Sequence, residues 1–127
     1  MTATVLNPAS LPSSNTYSHG FAVEGATRTI YCAGQVGVDR DGNAPAGIAA
    51  QTELAFKAVE AILREGGLEL PNVVKTTVFL LDPSDYAEFA RVRSAMLGTT
   101  KPASTLVYVK ALVKPEWIVE VEAIAVG

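Results

Sequence analysis

The chain has 127 residues, of which 49% are hydrophobic and 18% charged, and its net charge is −3. That length suits one domain, and the apolar content excludes a disordered chain and leaves surface for subunit contacts. Lys and Arg are scattered without a run or stripe, so no nucleic-acid footprint is visible.

The first residues carry neither a basic stretch nor an apolar run of signal-peptide length, and no stretch approaches a membrane span. A soluble cytoplasmic protein with no membrane partner is the default expectation. Residues 2–7 read as a short strand ended by Pro8, and residues 11–16 as turn-rich. Residues 20–24 and 29–33 are predicted to be a hairpin around Gly25-Ala26-Thr27. The turn cluster Asp39-Arg40-Asp41-Gly42-Asn43 follows.

Residues 47–65 give the best helix pattern. Leu54, Ala58, Ala61, Ile62 and Glu65 follow helical spacing, as do Ala55, Val59 and Ile62. Gly66-Gly67 ends it. Residues 73–81 form a continuous apolar run between Pro71 and Pro83, which suits a central strand covered on both sides. Asp82-Pro83-Ser84-Asp85 offers N-cap residues for a second helix over 86–97, with Tyr86, Phe89, Val92 and Met96 on its apolar face. Residues 104–110 alternate as a strand, and Lys114-Pro115-Glu116 turns the chain into a last strand over 117–126. The order is β-β-β-α-β-α-β-β. It implies an α+β domain over residues 1–127: a single mixed sheet with both helices on one face. The opposite face is left bare, and a small domain rarely leaves such a surface to water, so an oligomer built on that face is expected.

Candidate chemistry is sparse. There is no phosphate loop, since Gly34-Gln35-Val36-Gly37 alone is too weak a signal, and no cofactor signature. One histidine and one cysteine do not make a typical zinc site. Cys32 sits in a strand pattern and reads as a small buried hydrophobe, and His19 as structural or surface. The anomaly is in the last strand. Side chains alternate faces along a strand, so Ile118, Glu120, Glu122 and Ile124 share one face and Val119, Val121, Ala123 and Ala125 the other. A carboxylate beside isoleucines is costly to bury unpaired. That face therefore meets water, or a partner supplying cations, or lines a site where a carboxylate has a function.

Five co-linear segments carry a resemblance: Tyr17-Ser18-His19-Gly20, Ala33-Gly34-Gln35-Val36, Val74-Lys75-Thr76-Thr77-Val78-Phe79, Pro102-Ala103-Ser104-Thr105 and Val119-Glu120-Val121-Glu122-Ala123-Ile124-Ala125. Together they resemble the RidA (YjgF-like) family of reactive-intermediate deaminases over nearly the whole chain. The resemblance implies a chorismate-mutase-like fold and a homotrimer with a small-molecule cleft at each subunit interface. It also implies hydrolysis of imines and enamines to keto acids and ammonia. By position, Glu120 would handle the water, and Tyr17 and the backbone of Ala33-Gly34 would complete the pocket. Glu122 has no matching pocket role and reads as structural.

One element departs from the family. The arginine that follows Pro-Ala and grips the substrate carboxylate is Ser104 here, which reads as a hydrogen-bond donor to the ligand or as a strand-start residue. A hydroxyl does not replace a planar, permanently charged fork, and losing that contact costs on the order of 2–5 kcal/mol of binding if nothing compensates. On the second helix, Ala90 stands where an asparagine is usual and Arg93 where an aromatic is expected. Arg93 reads as a snorkelling or interface cation, or as a replacement cation that reaches the cleft. Lys110 is a weaker candidate for the same task. Two functions stay open: a trimeric imine hydrolase, or a non-catalytic trimer that binds a small metabolite or a partner protein.

Overall fold

The computed structural model describes residues 1–127. Its elements are β1 (Thr2–Leu6), β2 (Gly20–Glu24), β3 (Thr29–Val36), α1 (Ile48–Glu65), β4 (Val73–Leu80), α2 (Tyr86–Leu97), β5 (Ala103–Tyr108) and β6 (Val119–Val126), which is the order expected. Single 3₁₀ turns precede β4 and α2. The expected mixed sheet runs β3-β6-β4-β5, with β6 antiparallel to both neighbours and β4 parallel to β5. The β4–α2–β5 segment is therefore a crossover unit, as a parallel pair requires.

The predicted hairpin of β2 with β3 does not form. β2 pairs antiparallel with β1 in a separate two-stranded ribbon, which meets the main sheet through one bridge between Ser18 and Ala103. The chain end is the cause. The N–H groups of Thr27 and Arg28 both donate to the Gly127 carbonyl, and Gly127 N–H returns a bond to Arg28. From Thr29 onward β3 is then claimed by β6, starting at Thr29 opposite Val126. The long β1–β2 connection is pinned by His19, whose backbone N–H donates to Asn7 Oδ1 at 2.8 Å and whose Nε2 donates to the Pro12 carbonyl at 2.6 Å.

The core lies between the sheet and the helices. Val119, Val121, Ala123 and Ala125 of β6, Val78 and Leu80 of β4, and Cys32 of β3 meet Ala55, Phe56, Val59 and Leu63 of α1 and Phe89 of α2. The buried stripe of α1 thus differs from the first one predicted: Ala61 is exposed, and Thr52, Ala55, Phe56, Val59 and Leu63 face the sheet. These follow i, i+3, i+4, i+7 spacing and include the bulky Phe56 and Leu63, whose burial outweighs that of the alanines on the neighbouring face. On α2 the stripe is rotated in the same way, with Phe89, Val92, Arg93 and Leu97 buried and Tyr86 exposed.

The start of α1 is tied down by Gln51, which the sequence pattern did not single out. Its amide donates to the carbonyls of Pro45 and Glu116, and its Oε1 accepts from Ile118 N–H. Gly37 lets α1 come this close, because a Cβ there would collide with the Gln51 backbone. Replacing Gln51 with Leu should leave the Ile118 N–H and two carbonyls without partners, a loss of about 2–4 kcal/mol. A urea melt should show a lower midpoint with an unchanged m-value, the midpoint shift multiplied by m matching that loss. A shift near zero would remove Gln51 from this role.

Candidate active site

The face of the main sheet away from the helices is uncovered. Tyr31 is 75% exposed there, and Lys75, Thr77, Phe79, Thr105, Val107, Glu120, Glu122 and Ile124 share that face through the strand registers. On it the apolar Tyr31, Phe79, Val107 and Ile124 alternate with polar and charged side chains.

Glu120 is half-buried on this face, opposite Val36 on one side and Phe79 on the other. Its position depends on an irregularity in β3. Cys32 pairs with Ala123 and Gln35 with Val121, so Ala33 and Gly34 together oppose one residue of β6. This is a β-bulge, a device that re-aims groups in a sheet and is over-represented beside active sites. It also explains why β3 continues to Val36 although its alternating pattern stops at Ala33. The Glu120 carboxyl lies directly over Gly34. A Cβ at that position would sit 2.8 Å from the carboxyl carbon and 2.9 Å from Oε2. Any side chain at position 34 would therefore push the Glu120 carboxyl aside.

The Glu120 carboxylate borders a depression of about 420 Å³ lined by Phe79, Val109, Ala111, Leu112 and Val113. That volume suits a small metabolite. Val113, 88% exposed, stands at its rim. This apolar wall was not legible in the sequence, since it takes the β4–β6 register to set Phe79 beside Glu120. Glu122, two residues on, lines a different depression with Tyr31, Ala33, Lys75, Thr77 and Ile124. Lys75 there donates to Thr105 Oγ1 at 2.8 Å.

The other predicted site residues lie elsewhere in the protomer. Ser104 is on the helix-covered side of the sheet, where its Oγ accepts from the buried Thr76 Oγ1 at 3.1 Å. Tyr17 packs edge-on against His19, ring centroids 5.3 Å apart, and lines a groove between the β1–β2 ribbon and the start of β4. Arg93 is only 8% exposed, with its guanidinium 5.5 Å from the Phe89 ring centre, and it makes no ion pair with Glu120 or Glu122. Lys110 is exposed. Within one protomer, then, Glu120, Ala33 and Gly34 come together, and Tyr17, Ser104 and Arg93 do not join them.

Cys32 is buried beside the bulge, and that burial raises its thiol pKa. The neutral thiol is thus favoured well into mildly alkaline solution.

Residues 8–127 match the family described as Endoribonuclease L-PSP. The rat 2-iminobutanoate/2-iminopropanoate deaminase is 38% identical over 112 residues, covering 87% of this chain and 79% of that protein. A RutC family protein of Pyrococcus abyssi is 41% identical over 98 residues, covering 76% of each chain. Among solved structures, a Rid family protein of Yersinia pestis superposes with a TM-score of 0.87 at 27% identity over 99% of both chains. Escherichia coli TdcF, solved with bound serine, superposes with a TM-score of 0.74 at 29% identity over 98% of both. The chain belongs to this family, the RidA (YjgF-like) proteins. No helix is long and apolar enough to cross a membrane.

Two outcomes follow from the bulge. Gly34→Ala should displace the Glu120 side chain while leaving the fold intact. Far-ultraviolet circular dichroism should be unchanged, and the backbone resonances of residues 33–36 and 119–121 should shift. Unmoved resonances around Glu120 would contradict the close contact. Cys32 should react with iodoacetamide at pH 8 far more slowly in the native protein than in urea, and equal rates would contradict its burial.

Proposed function

We propose that this protein is a homotrimeric hydrolase of small imines or enamines, with Glu120 positioning the attacking water. The single observation that carries this reading is the Glu120 carboxylate held against the Ala33–Gly34 bulge at the edge of an apolar depression. In that setting the carboxylate accepts a proton from water as the oxygen adds to the C=N carbon. The carboxyl passes that proton to the imine nitrogen to give the carbinolamine, which then loses its hydroxyl proton to the departing nitrogen, so that ammonia leaves and a carbonyl product remains. An imine is already activated, so a positioned water and one base suffice. The deaminase activity named for the mammalian relatives supports the reaction class, and the serine bound to the Escherichia coli relative supports a small amino-acid-like ligand.

The separation of the candidate residues supports the trimer. Tyr17 and Ser104 lie away from Glu120, Ala33 and Gly34 in one protomer, so a pocket shared by them would take Tyr17 and Ser104 from a neighbour. The uncovered sheet face, where the exposed Tyr31 and Val107 and the half-buried Phe79 and Ile124 stand among polar side chains, is a fitting surface for that neighbour. RNA cleavage finds little support in a chain of net charge −3 without a basic stripe.

A second reading, a trimer that binds a small metabolite or a partner without turnover, is favoured by one observation. Ser104 stands at the family arginine's position, and its hydroxyl is engaged by Thr76.

The decay of 2-iminobutanoate generated in situ separates the two. Wild type should accelerate it, and Glu120→Gln should lower the rate by about 100-fold or more. No acceleration by wild type with a clear gain in Ser104→Arg would favour the second reading. Full activity in Glu120→Gln would remove the role given to that residue.

A further inference from the structure

Arg93 is the one strongly buried charged side chain, at 8% exposure, and no hydrogen-bond acceptor or carboxylate of the chain engages its guanidinium. A guanidinium carries five donors in a fixed plane, and none of the Arg93 nitrogens is sealed from solvent, so its donors are open to an acceptor from outside the chain. The Phe89 ring, 5.5 Å from its central carbon, supports one side of it but accepts no conventional hydrogen bond.

Arg93 borders a small depression at the end of α2, where the loop before β2 crosses the loop before β5. Its polar lining consists of Asn15, Thr16, Arg93, Ser94, Thr100 and Lys101. The two loops are held together beside it, since Ser18 Oγ donates to the Lys101 carbonyl at 2.6 Å and Ser18 N–H to the Pro102 carbonyl at 3.2 Å. Two cations, three hydroxyls and an amide converge there, and no Asp or Glu lies among the lining residues. In a chain of net charge −3 this is a local concentration of positive charge.

The size narrows the occupant. The depression holds about 30 Å³, on a scale where one water needs about 10–15 Å³. That admits a planar group of a few heavy atoms and excludes a nucleotide. A planar fork beside such a space matches a carboxylate, which it grips through two parallel hydrogen bonds.

We propose that Arg93 and Lys101 form a binding site for a small planar oxyanion, a carboxylate head in particular, between the end of α2 and the crossing loops. The site shares no lining residue with the Glu120 depression and stands whether or not Glu120 catalyses. Thr100 and Lys101 also line the groove that holds Tyr17, so an anion here orders that loop.

Acetate titrated at constant ionic strength, with chloride as the balancing salt, tests the site by nuclear magnetic resonance. The amides of Thr16, Gly98, Thr100 and Lys101 and the Arg93 side-chain Nε–H should shift saturably. Arg93→Met should abolish the response, and Lys101→Gln, a change at an exposed position, should weaken binding by about tenfold. 2-Hydroxybutanoate distinguishes the source: equal affinity with acetate means a free small anion, and tighter binding means the carboxylate of a metabolite. Linear, non-saturating shifts, or an unchanged response in Arg93→Met, overturn the proposal. If Arg93→Met does not fold, an Arg93 Nε–H resonance in wild type that stays fixed throughout the titration overturns it equally. So would binding as tight in Lys101→Gln as in wild type.

Discussion

The structure depends on the two faces of β6. A strand sends alternate side chains in opposite directions, and here the sequence places Val119, Val121, Ala123 and Ala125 on one side and Glu120, Glu122 and Ile124 on the other. The first set is buried against the helices and locks the register with β3 and β4. A one-residue slip would bury two carboxylates and expose the core, so the register is strongly specified. The same constraint that builds the core therefore fixes where Glu120 stands. Folding and the site are set by one alternation.

The bulge at Ala33–Gly34 adds what alternation alone does not supply. It shifts β3 by one residue at the level of Glu122 and brings Gly34 under the Glu120 carboxyl. A side chain at position 34 would occupy the carboxyl's place. Beyond the bulge, β3 continues to Val36, and Gly37 then allows α1 to approach, with Gln51 tying the α1 start to the segment that leads into β6. The glutamate is thus held from three sides: by its own strand, by the bulge, and by the segment that Gln51 anchors.

Much of this was legible in the chain. Element order followed from periodicity, and the two-faced β6 was visible as acids alternating with apolar residues. The bare sheet face followed from having two helices for one sheet. Strand pairing was not legible in the same way. A short Gly-containing link made β2 and β3 look like a hairpin, because local turn chemistry carries no information about the Gly127 carbonyl that captures Thr27 and Arg28. Arg93 was readable as an outlier on an apolar helix face, but its burial without a partner depends on loops distant in sequence. The role of Gln51 was invisible for a similar reason, since its partners Pro45, Glu116 and Ile118 lie in segments without regular pattern. In Ser104 the departure from the family was plain from sequence, while its orientation toward Thr76 and away from the Glu120 face required the β4–β5 register.

The central claim is that the functional pocket is shared between protomers, with Glu120 from one and Tyr17 from another. Subunit mixing tests it most directly. Glu120→Gln and Tyr17→Phe chains, each inactive toward 2-iminobutanoate as separate trimers, are unfolded together and refolded in equal amounts. Random assembly should restore about one quarter of wild-type activity, because about that share of the interfaces pairs an intact Glu120 with an intact Tyr17. Activity that stays at the level of the separate variants would contradict the account.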